Sequence, residues 1–97
     1  MARASLHTSR RIVFEDGSFI EMKVWTVPAP VPPSQHEFKY SLVYVVNGER
    51  VIGYDNERGK GDHRHYGDRE EPYTFASVEQ LVADFLADVT KIRGGET

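Results

Sequence analysis

Two dipeptides, Asp16-Gly17 and Asn47-Gly48, limit the folds open to this 97-residue chain more than any other feature. Each lies between two short runs rich in β-branched and aromatic residues. Each is typical of a two-residue type I′ turn, whose central residues both adopt positive φ. The sequence therefore predicts two consecutive β-hairpins. Their strands are Arg10–Glu15, with an earlier start in the segment Ala4–Thr8 left open, Ser18–Val27, Phe38–Val46 and Glu49–Asp55.

The connection between the hairpins, Pro28–Glu37, holds all but one of the five prolines. Proline fixes φ and has no N–H to donate to a strand ladder, so this segment predicts a stiff, extended loop. The functional alternative is a proline-rich recognition ligand.

The segment from Val78 to Val89 has the apolar spacing of an amphipathic helix. The stripe consists of Val78, Leu81, Val82, Phe85, Leu86 and Val89. Ser77 and Gln80 form an S-x-x-Q capping box at the start, and Gly94 ends the helix. The solvent side is expected to carry Glu79, Asp84 and Asp88.

These elements predict a single α+β domain over residues 1–97. Its core is a four-stranded antiparallel sheet of two consecutive hairpins, with one C-terminal helix packed on one face, in the order ββββα. Ideal register in the second hairpin places Tyr44 opposite Val51. One helix covers one face only, so Phe19 and Trp25 are expected on the other face unless the N-terminal arm or the proline-rich loop covers them. An exposed apolar face predicts a partner surface or a homodimer interface.

Composition excludes several kinds of site. The chain has no cysteine, which excludes disulfides and cysteine-based zinc sites. Its net charge of −3 and pI of about 5.8 are unlike the basic balance of nucleic-acid-binding domains, so any such role must come from a local basic site. No apolar run approaches the roughly 20 residues of a membrane helix, and the N-terminus lacks a signal-peptide core. A cytoplasmic protein is expected.

A dense polar segment, residues 54–73, separates the last predicted strand from the helix. From Asp55 to Glu71 it is crowded with charged side chains around two histidines and has no apolar periodicity. Connections of this length in a compact domain are usually either functional or disordered. Three interpretations stay open: a solvated loop, a site of acid–base chemistry and a metal site.

Acid–base chemistry on a phosphodiester would use His63 and His65. Alternate residues of an extended segment project from the same side, and imidazole titrates near neutrality, so one ring can accept a proton while the other donates one. Metal-independent RNA cleavage needs such a pair, to activate the ribose 2′-hydroxyl and to protonate the leaving oxygen. The supporting roles are phosphate binding by Lys60, Arg58 and Arg64, histidine orientation by Asp62 or Asp55, and base stacking by Tyr54, Tyr66 or Tyr73.

The same histidines suit a divalent metal ion. His63 and His65 offer nitrogen ligands, and Asp62 or Asp55 an oxygen ligand, for zinc, manganese or a similar ion. The nearby basic side chains would oppose a cation unless a phosphate lay between them. No cofactor is therefore expected, with a divalent metal as the alternative.

The polar segment and its surroundings resemble the TumE-type toxins, a bacterial family. The resemblance covers nearly the whole chain. It is carried by Tyr54-Asp55-Asn56, by Gly59–His65 (GKGDHRH) and by the segment from Trp25 to Pro28. It implies the toxin half of a toxin–antitoxin pair. The partner implied for such a toxin is a helix-turn-helix antitoxin.

The resemblance favours a growth-inhibiting ribonuclease and directs attention to particular residues. The candidate catalytic residues are Lys60, Asp62, His63 and His65. The candidate substrate-binding residues are Asp55, Arg58, Arg64 and Tyr66. The competing hypothesis is a non-enzymatic interaction protein, whose histidine-rich segment and sheet face bind a partner.

Overall fold

The computed structural model describes residues 5–57 and 59–94, which form one antiparallel sheet and one helix. The elements are β1 (Ser5–Val13), β2 (Phe19–Thr26), β3 (Phe38–Val46), β4 (Glu49–Glu57), β5 (Gly61–Tyr66), β6 (Arg69–Pro72) and α1 (Val78–Ile92). The strands lie in chain order, and each pairs antiparallel with the next. In the described ranges, no helix has the length and apolar character needed to cross a membrane. Ala4, where an earlier start of the first strand was left open, lies outside these ranges.

The prediction of a four-stranded sheet was wrong, because the sheet has six strands. β4 continues to Glu57, and the polar segment after it supplies β5 and β6. Gly67 and Asp68 form the two-residue turn between these strands, with Gly67 at a φ of 59° as a type II′ turn requires. β5 and β6 have no apolar pattern because polar side chains occupy both of their faces. The fold class is still α+β.

The two predicted hairpin turns differ in the structure. Asn47 (φ 53°) and Gly48 (φ 79°) both adopt positive φ, which confirms the type I′ turn. At Asp16-Gly17 only the glycine does, with a φ of 89°. There β1 ends at Val13 and β2 begins at Phe19, so the predicted two-residue turn is wrong.

A bulge shifts the register of the second hairpin. It lies between Tyr44 and Val45, and it places Tyr44 opposite Ile52 rather than Val51. Ile52 therefore joins the buried face of the sheet. Asp55, three residues further on, lies on the other face.

The core lies between the sheet and α1. Its buried residues are Ile20, Met22, Val24, Tyr40, Leu42, Tyr44, Ile52, Tyr54, Leu81, Phe85 and Val89. The helical members belong to the predicted apolar stripe, and burial of each such side chain contributes about 1.5–3 kcal/mol. Ser77 caps the helix as predicted, since its hydroxyl accepts a hydrogen bond from the Gln80 N–H. Gly94 follows the end of the helix at a φ of 67°.

Two helix aspartates contact the sheet side, where the sequence predicted exposure to solvent. Asp84 accepts a hydrogen bond from the Tyr73 hydroxyl at 2.6 Å. Asp88 accepts hydrogen bonds from the hydroxyls of Tyr54 and Tyr66. The helix is therefore attached to the sheet by polar contacts as well as apolar ones.

The sheet face away from α1, the open face, carries the other set of alternating side chains. Phe19 and Trp25 lie on it, as predicted, and both are partly exposed. Arg11 covers the Phe19 ring, with its guanidinium carbon 4.2 Å from the ring centroid. Charged side chains therefore interrupt the apolar surface of the open face.

Candidate functional site

β5 presents its side chains alternately to the two faces of the sheet, and His63 and His65 lie on the open face. Asp55 on β4 is opposite His63, and Glu70 on β6 is opposite His65. Directly opposed residues of antiparallel strands share a face, so these four side chains converge. They form the carboxylate–imidazole cluster.

His63 is the most buried member of the cluster, with 4% of its surface exposed. Its Nδ1–H donates to the Gly61 carbonyl at 2.9 Å, which directs Nε2 toward the cluster. Nε2 lies 2.7 Å from Asp55 Oδ1 and 3.1 Å from Glu70 Oε2. These separations are short enough for hydrogen bonds, but the angles are not suitable. Among the described residues, neither His63 Nε2 nor Asp55 Oδ1 has a hydrogen-bond partner.

His65 lies beside His63, with ring centroids 4.8 Å apart and ring planes at 77°. Its Nε2 lies 3.8 Å from Asp55 Oδ1 and 4.0 Å from Glu70 Oε2. Burial lowers the pKa of His65, and the charge of Arg50 lowers it further. The carboxylates of the cluster oppose this change without cancelling it. At neutral pH the ring is therefore predominantly uncharged.

Lys60 and Glu57 lie at the rim of the cluster. Lys60 Nζ is 3.4 Å from Glu70 Oε2 and 4.0 Å from Glu57 Oε1. Burial alone would raise the pKa of Glu70, but Lys60 and the two histidines outweigh burial and lower this pKa. A cleft of about 290 Å³, lined in part by Lys60, His63 and Glu70, leads to the cluster. A ligand can therefore reach it from solvent.

Two glycines and the proline-rich loop hold the strand that carries the histidines. The Gly59 N–H donates to the Pro32 carbonyl at 2.8 Å. Gly61 has a φ of 80°, and a Cβ there would lie 3.1 Å from Pro33 Cγ. Gly61 therefore brings its carbonyl to His63 in a conformation that other residues rarely adopt.

Asp62, a predicted catalytic residue, lies on the opposite side of the sheet from the two histidines. It accepts hydrogen bonds from the Ser34 hydroxyl, from the Tyr40 hydroxyl at 2.7 Å and from His36 Nε2 at 2.7 Å. Burial alone would raise the pKa of Asp62, but these three donors lower it. The structure does not bring Asp62 to His63, and its catalytic role stays a prediction.

Two predicted substrate-binding residues, Arg64 and Tyr66, also lie on the helix side. Arg64 donates to Glu71 at 2.8 Å and to the Tyr54 hydroxyl at 3.1 Å. Burial alone would lower the pKa of Arg64, but these hydrogen bonds raise it. The Tyr66 hydroxyl donates to α1. Of the other two predicted substrate-binding residues, Asp55 belongs to the cluster and Arg58 lies outside the described residues.

Two residues near the histidines, Glu70 and Arg50, were not predicted. Glu70 could have been found from the Gly-Asp turn after Tyr66, because a two-residue turn there sets Glu70 opposite His65. Arg50 extends over Gly53 on the open face, where an added Cβ would lie 2.8 Å from Arg50 Cδ. Its position depends on the bulge between the pairs Val45–Arg50 and Tyr44–Ile52, for which the sequence offers no signal.

The cluster also contains a set of metal-ligand types. Asp55, His63 and His65 each offer one ligand atom, and these three atoms lie within 4.8 Å of one another. Asp62, the other oxygen ligand considered from the sequence, lies on the far side of the sheet.

The family of the chain is shown by comparison with known proteins. A family model described as "Toxin TumE" matches residues 2–93, a range that includes every strand, the cluster and α1. No curated protein and no solved structure matches the chain. The family match agrees with the resemblance carried by the GKGDHRH segment around His63. The chain therefore belongs to the TumE toxin family, whose members are the toxin components of toxin–antitoxin pairs.

Proposed function

We propose that this toxin inhibits growth by cleaving RNA, with His63 and His65 as an acid–base pair. The observation that carries the proposal is the convergence of two imidazoles, 4.8 Å apart, on the open face. His63, the more buried of the two, also lines the cleft that Lys60 and Glu70 line. Two adjacent rings supply the two proton transfers that cleavage by a ribose 2′-hydroxyl requires.

The reaction we assign to the cluster is transesterification at a phosphodiester. His65 accepts the proton of the ribose 2′-hydroxyl, whose oxygen forms a bond to phosphorus. His63 donates its Nε2 proton to the 5′-oxygen as the bond between phosphorus and that oxygen breaks. The products are a 2′,3′-cyclic phosphate and a 5′-hydroxyl. Asp55 and Glu70 lie 2.7 and 3.1 Å from His63 Nε2 and face the positive charge of its imidazolium form.

Lys60 is assigned to phosphate binding. Its ion pair with Glu70 spans 3.4 Å, and 54% of the Lys60 side chain is exposed. Exposed pairs of this kind contribute about 0–1 kcal/mol, so Lys60 can exchange Glu70 for a phosphate at little cost. Bound to the phosphate, its ammonium group stabilises the charge that develops during the reaction.

The open face beside the cluster offers the local basic site that an acidic protein needs to bind RNA. Its basic side chains are Lys23, Lys39 and Arg50, with Arg11 paired to Glu21 at 3.6 Å, in a register that places all of them on the same face as the histidines. Trp25 on this face is partly exposed, and its ring is suited to stacking on an unpaired base. Arg50 lies over Gly53, which is opposite His65, so it joins the basic surface to the cluster.

Cleavage of end-labelled single-stranded RNA by the purified toxin tests the proposal. Wild type and His7→Ala, a control at an exposed histidine, are expected to cleave in the presence of a chelator. His63→Ala and His65→Ala are expected not to cleave. The products should carry 2′,3′-cyclic phosphate ends. If the wild type leaves the RNA intact, or if either site variant cleaves as fast as the wild type, the mechanism is overturned.

The partner of the toxin is an antitoxin, as the family implies, and we expect a helix-turn-helix protein. A second function, binding without catalysis, is favoured by a different feature of the structure. Leu6 (58% exposed) and Val13 (63% exposed) are large apolar side chains on β1, an edge strand. Exposed edges of this kind favour pairing with another chain, either the antitoxin or a second copy in a homodimer. Light scattering after size-exclusion chromatography tests the homodimer, and a monomer at all concentrations would exclude it.

A further inference from the structure

Two buried atoms of the carboxylate–imidazole cluster, His63 Nε2 and Asp55 Oδ1, face each other without a hydrogen bond. They lie 2.7 Å apart, and neither has a hydrogen-bond partner within residues 5–57 and 59–94. Buried polar atoms in native proteins are almost always paired, and each exception needs an explanation. A cation in contact with both lone pairs would satisfy both atoms.

The imidazole–carboxylate distances in the cluster suit tetrahedral metal coordination. Ligand atoms about 2.1 Å from a zinc ion lie about 3.4 Å apart. The Nε2 atoms of His63 and His65 lie 2.7 and 3.8 Å from Asp55 Oδ1, and 3.1 and 4.0 Å from Glu70 Oε2. These four distances bracket the required separation. The ligand atoms of Asp55, His63 and His65 are all within 4.8 Å of one another, so small rotations of the rings complete the geometry.

The second nitrogen of His63 is held as in known metal sites. Metal-binding histidines almost always donate their other ring N–H to a carbonyl or a carboxylate, which fixes the tautomer. His63 Nδ1–H donates to the Gly61 carbonyl at 2.9 Å. Nε2 is therefore the nitrogen that offers a lone pair to the cluster.

The charges around the cluster favour a cation. In the described part of the chain, Asp55, Glu57 and Glu70 are the carboxylates within 4 Å of the Nε2 atoms of His63 or His65. Lys60 pairs with two of them, and Arg50, over Gly53 opposite His65, adds a second positive charge. One carboxylate charge is left in excess when the histidines are neutral.

We propose that Asp55, His63 and His65 bind one zinc ion, with Glu70 as the fourth ligand. Two imidazole nitrogens with carboxylate oxygens select zinc or a similar transition ion over Mg²⁺, which prefers oxygen ligands and bound water. Zinc bound there occupies the Nε2 atoms of both histidines. It therefore withholds the base and the acid, and it inhibits RNA cleavage; this inhibition rests on the proposed function, whereas zinc binding does not.

Titration calorimetry of the metal-free full chain with ZnCl₂ tests the site. Wild type and His7→Ala are expected to bind one zinc ion with the same affinity. His63→Ala and Asp55→Asn are expected to bind at least 100-fold more weakly, with circular dichroism unchanged. In ¹⁵N spectra of the imidazoles, zinc should shift His63 and His65 and leave His36 unchanged. If the wild type does not bind zinc, or if the site variants bind zinc with the affinity of the wild type, the proposed site is overturned.

RNA cleavage with and without saturating zinc separates the two proposals. Loss of cleavage on addition of zinc, reversed by a chelator, supports inhibition at the cluster. Unchanged cleavage with zinc bound would overturn inhibition, and cleavage that requires zinc would overturn the metal-free acid–base mechanism as well. Zinc binding without cleavage under any condition would overturn the proposed function and leave the metal site in place.

Discussion

Two histidine–aspartate pairs lie on opposite faces of the same sheet, and their atoms are equally close. His36 Nε2 lies 2.7 Å from Asp62 Oδ2 on the helix side, and His63 Nε2 lies 2.7 Å from Asp55 Oδ1 on the open face. The first contact is a hydrogen bond, whereas the second is not. The two pairs contain the same chemical groups, so their capacity for chemistry must depend on what else each atom contacts.

Both ring nitrogens of His36 form hydrogen bonds. Its Nδ1 accepts a hydrogen bond from the Phe38 N–H at 3.2 Å, so Nε2 is the nitrogen that carries the proton donated to Asp62. Its ring stacks on Phe75, with centroids 3.8 Å apart. His63 Nε2 instead has no hydrogen-bond partner among residues 5–57 and 59–94, and His63 lines a cleft. The pair on the helix side therefore attaches the proline-rich loop to β5, and the pair on the open face is available to a substrate or a metal.

The largest difference between the two pairs is expected in activity. Removal of one member of an acid–base pair costs about 10²–10⁴-fold in rate, so His63→Ala should reduce RNA cleavage by that factor. His36→Ala should retain most of the activity of each folded molecule. Both variants are compared in the cleavage assay at equal folded concentration, and growth arrest after induction gives the cellular measurement. Equal losses in the two variants would show that the faces do not differ in function.

The second difference is expected in stability. Here the pair on the helix side should contribute more than the pair on the open face. Asp62→Ala leaves the donors of Ser34, Tyr40 and His36 without their acceptor, so it should lower the free energy of unfolding by about 3 kcal/mol. Asp55→Ala breaks no hydrogen bond of its side chain among the described residues and should change this free energy by less than about 1 kcal/mol. Urea unfolding followed by circular dichroism measures both. A larger loss for Asp55→Ala than for Asp62→Ala would show that the pair on the open face, and not the pair on the helix side, stabilises the fold.

Alkaline pH should destabilise the fold through the tyrosine hydroxyls on the helix side of the sheet. Burial, followed by the hydrogen bond to Asp62, raises the pKa of Tyr40. Burial likewise raises the pKa of Tyr54, Tyr66 and Tyr73. A raised folded-state pKa stabilises the fold below the unfolded value of about 10, and this stability is lost as the pH rises toward the folded-state value.

Absorbance of tyrosinate and circular dichroism, recorded together above about pH 10, test this prediction. Most of the tyrosinate should appear with the loss of secondary structure, since the buried hydroxyls ionise when the chain unfolds. In Asp62→Ala the transition should occur at lower pH, because the variant is less stable. Ionisation of all the tyrosines in a chain that keeps its circular dichroism would contradict the polar attachment of helix to sheet.

How much of this could be predicted from the sequence differs between the same two regions. The apolar alternation of β2 and β3 and the stripe of α1 predict the core and the helix, because burial imposes those patterns. β5 and β6 have polar residues on both faces, so their hydrophobicity gave no strand signal and their dense charge suggested a loop. Alternation did predict that His63 and His65 share a side, and the same rule separates Asp62 from them. Glu70 could have been placed from the Gly67-Asp68 turn, whereas the position of Arg50 depends on a bulge for which the sequence offers no signal.

The smallest expected effect concerns how RNA reaches the open face. A Cβ at Gly53 would lie 2.8 Å from Arg50 Cδ, so Gly53→Ala should displace the Arg50 side chain without changing its charge. If Arg50 contacts one phosphate, Arg50→Ala should reduce the slope of log K against log salt by about 1, and Gly53→Ala should reproduce part of that change. Both are measured by RNA binding in a His63→Ala/His65→Ala background, where no cleavage occurs. Lys91→Ala, at an exposed lysine in the last turn of α1 and away from the open face, is the matched control for loss of charge alone. A normal slope in Gly53→Ala beside a reduced slope in Arg50→Ala would mean that the charge matters and its position over Gly53 does not.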